Sequence, residues 1–428
     1  MIAPSIMILL VGLIALGMPI AFALAVTGAA GLLAQVGFNP MMGVLQTTPY
    51  RTAASFLLST IPLFILMAEL LSRGTIVRDL YRLGYLWLGH IRGGLAFAAI
   101  AANVGFAVLS GSSTAAAAAM SRISIPEMRR YGYSESFALG VIAIAGTLSI
   151  MIPPSLPLIL YGVMTETSIG KLFLAGIIPG AITALGYMAV IAFLVRRNPS
   201  IAPATERFPA AERWAAVPKV WPAILLVILV LGGIYSGAIT ATEAAAVGAA
   251  GALVISVLWG GLRWSGLNEA LGSTVRTTAM IFAIIIGAMV FGYYLAVAQI
   301  PQSLVTFVGE LPLPAWAIML IIVALYLVLG FFIDQLAIII LTLPLIFPLV
   351  TSLGYDPIWF GIIVTKTAEL GLVTPPLGMN VFVTCGATNT RVEQGFRGVV
   401  PFLIGELIIL ALLLLVPELS TWLPQFIE

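Results

Sequence analysis

Long apolar runs cover most of the chain, and short polar segments separate them. About 20 apolar residues in a helix cross the hydrocarbon core of a bilayer, and slightly shorter runs suffice where the bilayer thins. The pattern therefore predicts an all-α polytopic membrane protein. The runs that fit one span each are residues 2–17, 19–37, 52–72, 134–165, 172–195, 221–238, 241–261, 275–298, 356–389 and 399–424.

Two further apolar segments, residues 93–128 and 313–350, do not fit this scheme. Each is too long for one spanning helix and too short for two with a turn between them. Turn-forming residues interrupt both, at Gly111-Ser112-Ser113 in the first segment and from Gly330 to Asp334 in the second. We predict two re-entrant helical hairpins, whose irregular tips must be covered by protein or face a watery cavity.

The block from Leu109 to Leu156 is repeated between Leu329 and Leu377. Matching prolines, glycines and tyrosines recur 222 residues later (348 − 126) without a gap. The matched pairs are Pro126 with Pro348, Gly132 with Gly354, Tyr133 with Tyr355, Pro153 with Pro375, and Pro154 with Pro376. Each half then contains five spans and one hairpin. Because five is odd, the second half is predicted to be inverted relative to the first, as in many secondary transporters.

The charges set the predicted orientation. When the loop after the third span is placed in the cytoplasm, nearly all of the 19 Lys and Arg residues fall on that side, as the positive-inside rule requires. Arg51 and Lys171 fall outside, and Lys366 lies within a span. Both termini are then predicted to be periplasmic, and the polar linker between the halves is predicted to be cytoplasmic.

Composition and motifs exclude several classes of protein. Apolar residues make up 61% of the chain and charged residues 8%, whereas a soluble domain has about 25% charged residues. A net charge of +2 gives no reason to expect nucleic acid as a partner. The sequence has no phosphate loop, no GxGxxG turn, no HExxH and no GxSxG. We therefore expect neither direct ATP use nor an enzyme.

Two spans are broken by paired prolines, Pro153-Pro154 and Pro375-Pro376. Each proline removes a backbone donor and disrupts the preceding turn, and lipid offers no partner for the freed carbonyls. A small hard cation would satisfy these carbonyls, as in transporters with discontinuous helices. The alternative is a kinked helix whose carbonyls bond to water or to Ser and Thr. The repetition of the break beside a polar hairpin tip favours the cation.

The hairpin tips carry the other candidate ligands. Ser110-Gly111-Ser112-Ser113-Thr114 supplies four hydroxyls at the first tip. At the second tip, Asp334 occupies the repeat position of Ser112. An aspartate at bilayer depth needs a partner or a cavity, so it either binds a cation or caps a helix, and the sequence does not choose between these roles.

Other polar residues in the spans are individually weaker candidates. Lys366 and Glu369 are three apart on one helix face and form either a buried pair or, for Lys366, an attraction for an anionic substrate. Asn103, Thr147, Thr365 and Asn380 are further polar positions in these segments. The acidic residues predicted to lie near span ends, with solvated or capping roles, are Glu69, Glu243 and Glu406.

Six motifs together carry a family resemblance. They are SGSSTA, IPEMRRYGYS, PPS, TEAAAVGA, GFFID and TPPLGMN. In this combination the chain resembles the large membrane subunit of tripartite ATP-independent periplasmic (TRAP) transporters over nearly its whole length. The resemblance implies an elevator-type transporter in the bacterial inner membrane, driven by two or more transported Na⁺ ions. It also implies a small four-helix membrane subunit, expected as a separate chain, and a periplasmic substrate-binding protein.

The resemblance also implies residue roles. The sodium ligands would be Ser110, Ser113, Gly146, Met151 and Pro153 at one site, and Gly330, Asp334, Thr374 and Met379 at the other. The candidate substrate-binding residues are Asn103, Ser112, Thr114, Thr147, Lys366 and Asn380.

The implied domain organisation alternates between scaffold and transport segments. Scaffold helices are expected at residues 1–92, 172–197, 221–312 and 391–428, with a cytoplasmic linker at 198–220. Transport-domain hairpins and broken helices are expected at residues 93–171 and 313–390. The predicted function is sodium-coupled import of a small organic anion, such as a dicarboxylate, a sialic acid or another sugar or keto acid. The alternatives are a self-sufficient sodium/dicarboxylate symporter and, from another class, a channel or an intramembrane enzyme.

Overall fold

The computed structural model describes residues 2–426, and these residues contain no β-strand. The chain folds into 21 α-helices joined by short turns. The helices are α1 (Ile2–Ala15), α2 (Ile20–Val36), α3 (Phe38–Ala53), α4 (Thr60–Ser72), α5 (Ile76–Leu88), α6 (Gly94–Ser110), α7 (Ser113–Arg130), α8 (Glu135–Met151), α9 (Leu156–Thr165), α10 (Ile169–Arg197), α11 (Ala210–Ala216), α12 (Trp221–Tyr235), α13 (Ala241–Leu258), α14 (Trp264–Val297), α15 (Ile300–Gly309), α16 (Ala315–Gly330), α17 (Gln335–Ser352), α18 (Pro357–Gly371), α19 (Met379–Thr388), α20 (Val392–Leu415) and α21 (Glu418–Thr421).

The sequence repeat is also a repeat of helices. Helices α7 and α17 begin 222 residues apart (335 − 113) and end 222 residues apart (352 − 130). A glycine with positive φ follows each of them, Gly132 at 74° and Gly354 at 82°. The same spacing relates the broken pair α8–α9 to α18–α19, and both Pro-Pro peptide bonds in the breaks are cis. The orientation of the halves relative to a membrane stays a prediction.

Both predicted hairpins are present as pairs of short helices. Helix α6 has 17 residues and α16 has 16, so each is about 25 Å long and shorter than a hydrocarbon core of about 30 Å. The tips begin helices α7 and α17 with side-chain caps. Ser112 accepts from the backbone N–H of Ala115, and Asp334 accepts from that of Leu336. A serine or aspartate at this position satisfies one of the free N–H groups of the first turn.

The helices pack into two groups. The scaffold group contains α1–α4 and α12–α14, with α2 lying along α14 and α13 along α4. The core group contains α6–α10 and α16–α20, and includes both hairpins and both broken helices. Helix α5 packs against α6, and its repeat partner α15 packs against α17, so each leads from one group into the other.

Contacts between the halves are reciprocal. Helix α9 of the first half packs against α17 of the second, while its repeat partner α19 packs against α7. In the scaffold group α2 packs against α14, and α13 packs against α4, which is the repeat partner of part of α14. Exchange of equivalent contacts is the pattern that a two-fold axis produces. The halves are therefore arranged as a pseudo-symmetric pair.

Several elements differ from the prediction. In the described part of the chain, six helices are long and apolar enough to cross a membrane, or up to eight if each of two bent pairs is one span. Residues 38–53 form α3, which meets the following helix at a bend of 55°. Helices α5 and α15 lie in segments that were expected to be loops. Helices α10 and α20, within the predicted scaffold segments 172–197 and 391–428, pack in the core group.

Close packing of α2 on α14 gives a first prediction. A Cβ atom at Gly28 would lie 2.7 Å from the Cα of Phe291, whereas one at Gly292 meets nothing within 4 Å. We expect Gly28→Ala to lower the free energy of unfolding by about 1–3 kcal/mol through overpacking. Gly292→Ala, on the open side of α14, should raise it by up to about 1 kcal/mol because alanine favours the helix. Thermal denaturation in one detergent compares the two. Equal effects would contradict the packing described.

Candidate transport site

A cavity of about 790 Å³ lies between the scaffold and core groups. On the core side its wall consists of both hairpin tips and the helix starts after both breaks. On the scaffold side it consists of the start of α2, Glu69 of α4 and the segment from Thr277 to Ile284 of α14. The cavity reaches the protein surface, and most of its wall is apolar. It is the place where the two groups leave a space that all four interrupted helices border.

The hydroxyls of the first tip are divided between the cavity and the protein interior. Ser112 and Thr114 line the cavity, and their side-chain oxygens are 3.5 Å apart. Ser110 and Ser113 are buried, with 4% and 1% of their surface exposed. Ser110 donates to the backbone oxygen of Ser112 at 3.2 Å, which ties the tip to its own turn. One short segment thus offers oxygens in two directions.

The first tip lies directly against the first helix break. Gly111 has φ of +59°, and a Cβ there would lie 2.9 Å from the backbone oxygen of Pro154. A Cβ at Gly146 would lie 2.9 Å from the backbone oxygen of Ser113. These contacts require glycine at both positions. They bring carbonyl oxygens of the tip and of the break together, beside the buried hydroxyls of Ser110 and Ser113.

The second tip meets the second break in a similar way. A Cβ at Gly330 would lie 3.1 Å from the Cα of Gly371, and one at Gly371 would collide with the Gly330 carbonyl. Thr374 donates to the backbone oxygen of Leu370 at 2.6 Å. Asp334 caps α17 and lines the cavity, together with Met379 from the start of α19. The cap proposed for Asp334 is present, and the carboxylate also borders the cavity.

Asn380 connects the two halves of the site. Its side-chain N–H group donates to Ser113 Oγ at 2.6 Å and to the backbone oxygen of Ala143 at 3.1 Å. It therefore joins the start of α19 to the first tip and to α8. Asn380 is fully buried, and its Oδ1 has no hydrogen-bond partner among the described residues.

Three candidate substrate residues lie away from the cavity wall. Asn103 is fully buried in α6 and donates to Ala99 O at 3.2 Å. Thr147 and Lys366 belong to a separate group of buried side chains, which we call the ionic cluster. Its members are Thr147, Thr183, Tyr187, Lys366, Glu369 and Glu406. None of the six is part of the cavity lining.

The ionic cluster resolves one alternative and corrects one expectation. Lys366 forms the buried pair with Glu369, with Nζ 3.3 Å from Oε2, and Glu406 joins as a third charged group at 2.5 Å. The prediction that Glu406 lies near a span end was wrong. Helix α20 begins at Val392, so Glu406 falls in its interior and is fully buried. Glu243, in contrast, caps α13 in a capping box with Thr240, as its position suggested.

A second, smaller cavity of about 310 Å³ lies farther along the same interface. It borders α14 between Ile285 and Tyr293, beyond the segment that lines the larger cavity. Arg51 of α3 and Glu166, the residue after α9, are its charged residues. The interface between the groups therefore has two openings along its length, and the hairpin tips border the larger one.

Neighbouring serines at the first tip allow a direct test of the cavity wall. In a Cys385→Ser background, which removes the only native cysteine, we expect Ser112→Cys to react rapidly with a water-soluble maleimide because the residue lines the cavity. Ser113→Cys should react much more slowly because the side chain is buried. Full reaction of both after denaturation is the control. Equal labelling rates in the folded protein would contradict the assigned directions.

Comparisons with known proteins agree with this architecture. The family model described as "Tripartite ATP-independent periplasmic transporter, DctM component" matches residues 7–419. The large permease protein DctM of a C4-dicarboxylate TRAP transporter from Pseudomonas aeruginosa is 39% identical, over 94% of this chain and 94% of that protein. The sialic acid TRAP transporter large permease protein SiaM of Vibrio cholerae is 32% identical, over 97% and 96%.

Two further relatives add detail. An isethionate TRAP transporter permease protein DctMQ from Oleidesulfovibrio alaskensis is 34% identical over 95% of this chain, which spans 63% of that protein. The crystal structure of the Alcanivorax borkumensis YdaH transporter has a TM-score of 0.63 over 89% of this chain and 90% of that one, at 15% identity. The likeness to YdaH shows the fold alone. The family model and the relatives together show that this integral membrane protein belongs to the DctM family of TRAP transporter large permeases.

Proposed function

We propose that the chain is the permease of a sodium-driven importer for a small organic anion. The observation that carries this proposal is the cavity between two helix groups, bordered by both hairpin tips and both helix breaks. Such a cavity between repeats is where substrate and coupling ions bind in secondary transporters. The relatives are named for C4-dicarboxylate, sialic acid and isethionate, all of which are organic anions.

Helix starts supply the attraction for the anion. Residues at the N-terminal ends of α7, α9, α17 and α19 line the cavity: Thr114, Leu156, Gln335 and Met379. The N-terminal end of a helix carries partial positive charge and free N–H groups. Ser112 and Thr114 add hydroxyl donors at the first tip. Of the six predicted substrate residues, these two have the position that direct contact requires, while Lys366, Thr147, Asn103 and Asn380 support the helices behind them.

Sodium is proposed to bind where each tip meets its break. The first site uses oxygens of Ser110, Ser113, Gly146, Met151 and Pro153, and the second uses Gly330, Asp334, Thr374 and Met379. Support comes from the close glycine contacts, which bring the carbonyl oxygens of Ser113, Pro154 and Gly330 against the opposing backbone. Carbonyls, hydroxyls and one carboxylate form an all-oxygen ligand set, which suits a hard cation.

Charge accounting suggests that sodium binds before the anion. The charged side chains that line the cavity, within residues 2–426, are Glu69 and Asp334. Glu69 is 3.3 Å from Arg73, whereas Asp334 has no basic partner in the described part of the chain. An uncompensated carboxylate repels an incoming anion. A bound Na⁺ at the second tip neutralises it, and this order of binding couples the two solutes.

The core group is proposed to move against the scaffold group as an elevator. Inversion of the two halves in the membrane would make the two end states related structures, and the reciprocal contacts between halves support this arrangement. Helices α10 and α20 contribute Thr183, Tyr187 and Glu406 to the ionic cluster, which joins them to α8 and α18. We therefore assign α10 and α20 to the moving part, in place of the scaffold role expected from sequence.

Two partners complete the proposed system in the bacterial inner membrane. One is a small four-helix membrane subunit and the other a periplasmic binding protein that delivers the anion. The chain matches 94% of the DctM relative but 63% of the DctMQ relative, which supports a small subunit carried on a separate chain here. Both termini are proposed to be periplasmic, from the distribution of Lys and Arg.

Reconstituted uptake tests the proposal. Proteoliposomes holding the chain and its small subunit are given labelled C4-dicarboxylates, sialic acids and other sugar or keto acids. Inward sodium gradients and the cognate binding protein are each present or absent. We expect uptake only when both are present. An equal potassium gradient and empty liposomes are the controls.

The outcomes separate the alternatives. Uptake with sodium but without the binding protein would indicate a self-sufficient symporter. Conduction without any gradient dependence would indicate a channel, and chemical change of the label would indicate an enzyme. Either of the last two results would overturn the proposed function.

Asp334 provides a residue-level test. Asp334→Asn should raise the sodium concentration for half-maximal uptake on the order of tenfold, because a hard-cation site loses its charged ligand. Asparagine still caps a helix, so thermal stability should be retained. Asp356→Asn is a matched control, since Asp356 caps α18 through Trp359 N–H but does not line the cavity. Unchanged sodium dependence in Asp334→Asn would refute the assignment of the second site.

A further inference from the structure

The ionic cluster contains more acidic than basic groups. Lys366 provides one ammonium, while Glu369 and Glu406 provide two carboxyls. The side chains are 0%, 1% and 0% exposed. Lys366 Nζ lies 2.5 Å from Glu406 Oε2 and 3.3 Å from Glu369 Oε2. If both carboxyls were ionised, a net negative charge would be enclosed within the core group. An uncompensated charge of this kind is strongly unfavourable in a buried site.

The surrounding helices supply no second cation in the described part of the chain. Toward the cluster, α8 presents Thr147, and α10 presents Thr183 and Tyr187. The titratable side chains of the neighbouring helices α9, α16 and α19 bond elsewhere: Tyr161 to Pro357 O, Tyr326 to Thr342 Oγ1, and Cys385 to Arg391 O. Helix α17 has no titratable side chain, and Glu418 of α21 is exposed.

A count of hydrogens leads to the same deficit. Tyr187 Oη is in short contact with Glu406 Oε1 and lies 2.8 Å from Thr147 Oγ1. Thr147 Oγ1 in turn lies 2.7 Å from Ile144 O. These three oxygen–oxygen contacts each need a hydrogen, but the hydroxyls of Tyr187 and Thr147 provide one each. One hydrogen is missing from the chain of contacts.

We propose that the cluster is a proton-binding site and that Glu406 holds this proton at neutral pH. Glu406 is then a carboxylic acid that donates through Oε1 to Tyr187 Oη. Tyr187 donates to Thr147, and Thr147 donates to Ile144 O. Lys366 and Glu369 remain the ionised pair, and Glu406 Oε2 faces the ammonium. One added proton completes the hydrogen-bond chain and makes the cluster electrically neutral.

The bound proton has a structural consequence. The cluster joins α8, α10, α18 and α20, so a neutral and fully bonded cluster holds four helices of the core group together. Isolated charge repulsion between Glu369 and Glu406 would otherwise separate α18 from α20. The inference rests on the contacts of the cluster alone and holds whatever solute the protein transports.

Infrared spectroscopy of the purified protein tests the assignment. A protonated buried carboxyl has a C=O stretch that ionised carboxylates lack. We expect this band at neutral pH and expect Glu406→Gln to remove it, because glutamine mimics the protonated acid in shape. Glu243→Gln, which alters an exposed capping carboxylate, is the control and should leave the band unchanged. A band that persists in Glu406→Gln, or is absent from the parent protein, would overturn the proposal.

Tyr187→Phe provides a second measurement. It removes the acceptor of the carboxylic acid proton while Lys366 stays in place. The C=O band should remain, but at a shifted frequency, because its hydrogen bond is lost. A role in packing alone would not produce such a shift. An unshifted band would show that the proton resides on another group. This variant also keeps the test open if Glu406→Gln does not assemble.

Discussion

The interior of a bilayer offers backbone groups no hydrogen-bond partners, and this constraint governs the whole structure. Four helices of the core group are interrupted, two at hairpin tips and two at paired prolines. Each interruption frees backbone groups that lipid cannot satisfy. The fold answers by placing each tip against a break, so that irregular backbone meets irregular backbone inside the protein and at the border of one cavity.

Glycine makes these meetings possible. At Gly146 and Gly371 any larger residue would press against a carbonyl of the opposing tip. The carbonyls that remain then lie close together beside buried hydroxyls, which is also the chemistry that a sodium ion prefers. The requirement for a stable interrupted helix and the requirement for an ion site are therefore met by the same residues. This explains why the polar tips and the Pro-Pro breaks recur together in both halves.

The features that follow from local sequence were predictable, and those that depend on packing were not. The repeat, both hairpins and both breaks follow from the spacing of prolines, glycines and apolar runs. Helices α5 and α15 were missed because short connecting helices leave no long apolar run. Glu406 was misplaced because its partner Lys366 is on another helix, and no sequence spacing reveals a contact between α18 and α20. The roles of the cavity residues stay predictions.

The distribution of charge connects these features into one mechanism. The Lys366 ammonium is withdrawn from the cavity into the ionic cluster, so the cavity wall keeps a carboxylate at Asp334 without a basic neighbour in the described residues. An anion is then attracted only by helix starts, hydroxyls and whatever cation Asp334 has bound. Had Lys366 faced the cavity, it would have attracted the anion without sodium and uncoupled the two solutes. Confining the only basic side chain of the described broken helices to a closed cluster is thus what makes anion binding depend on a cation.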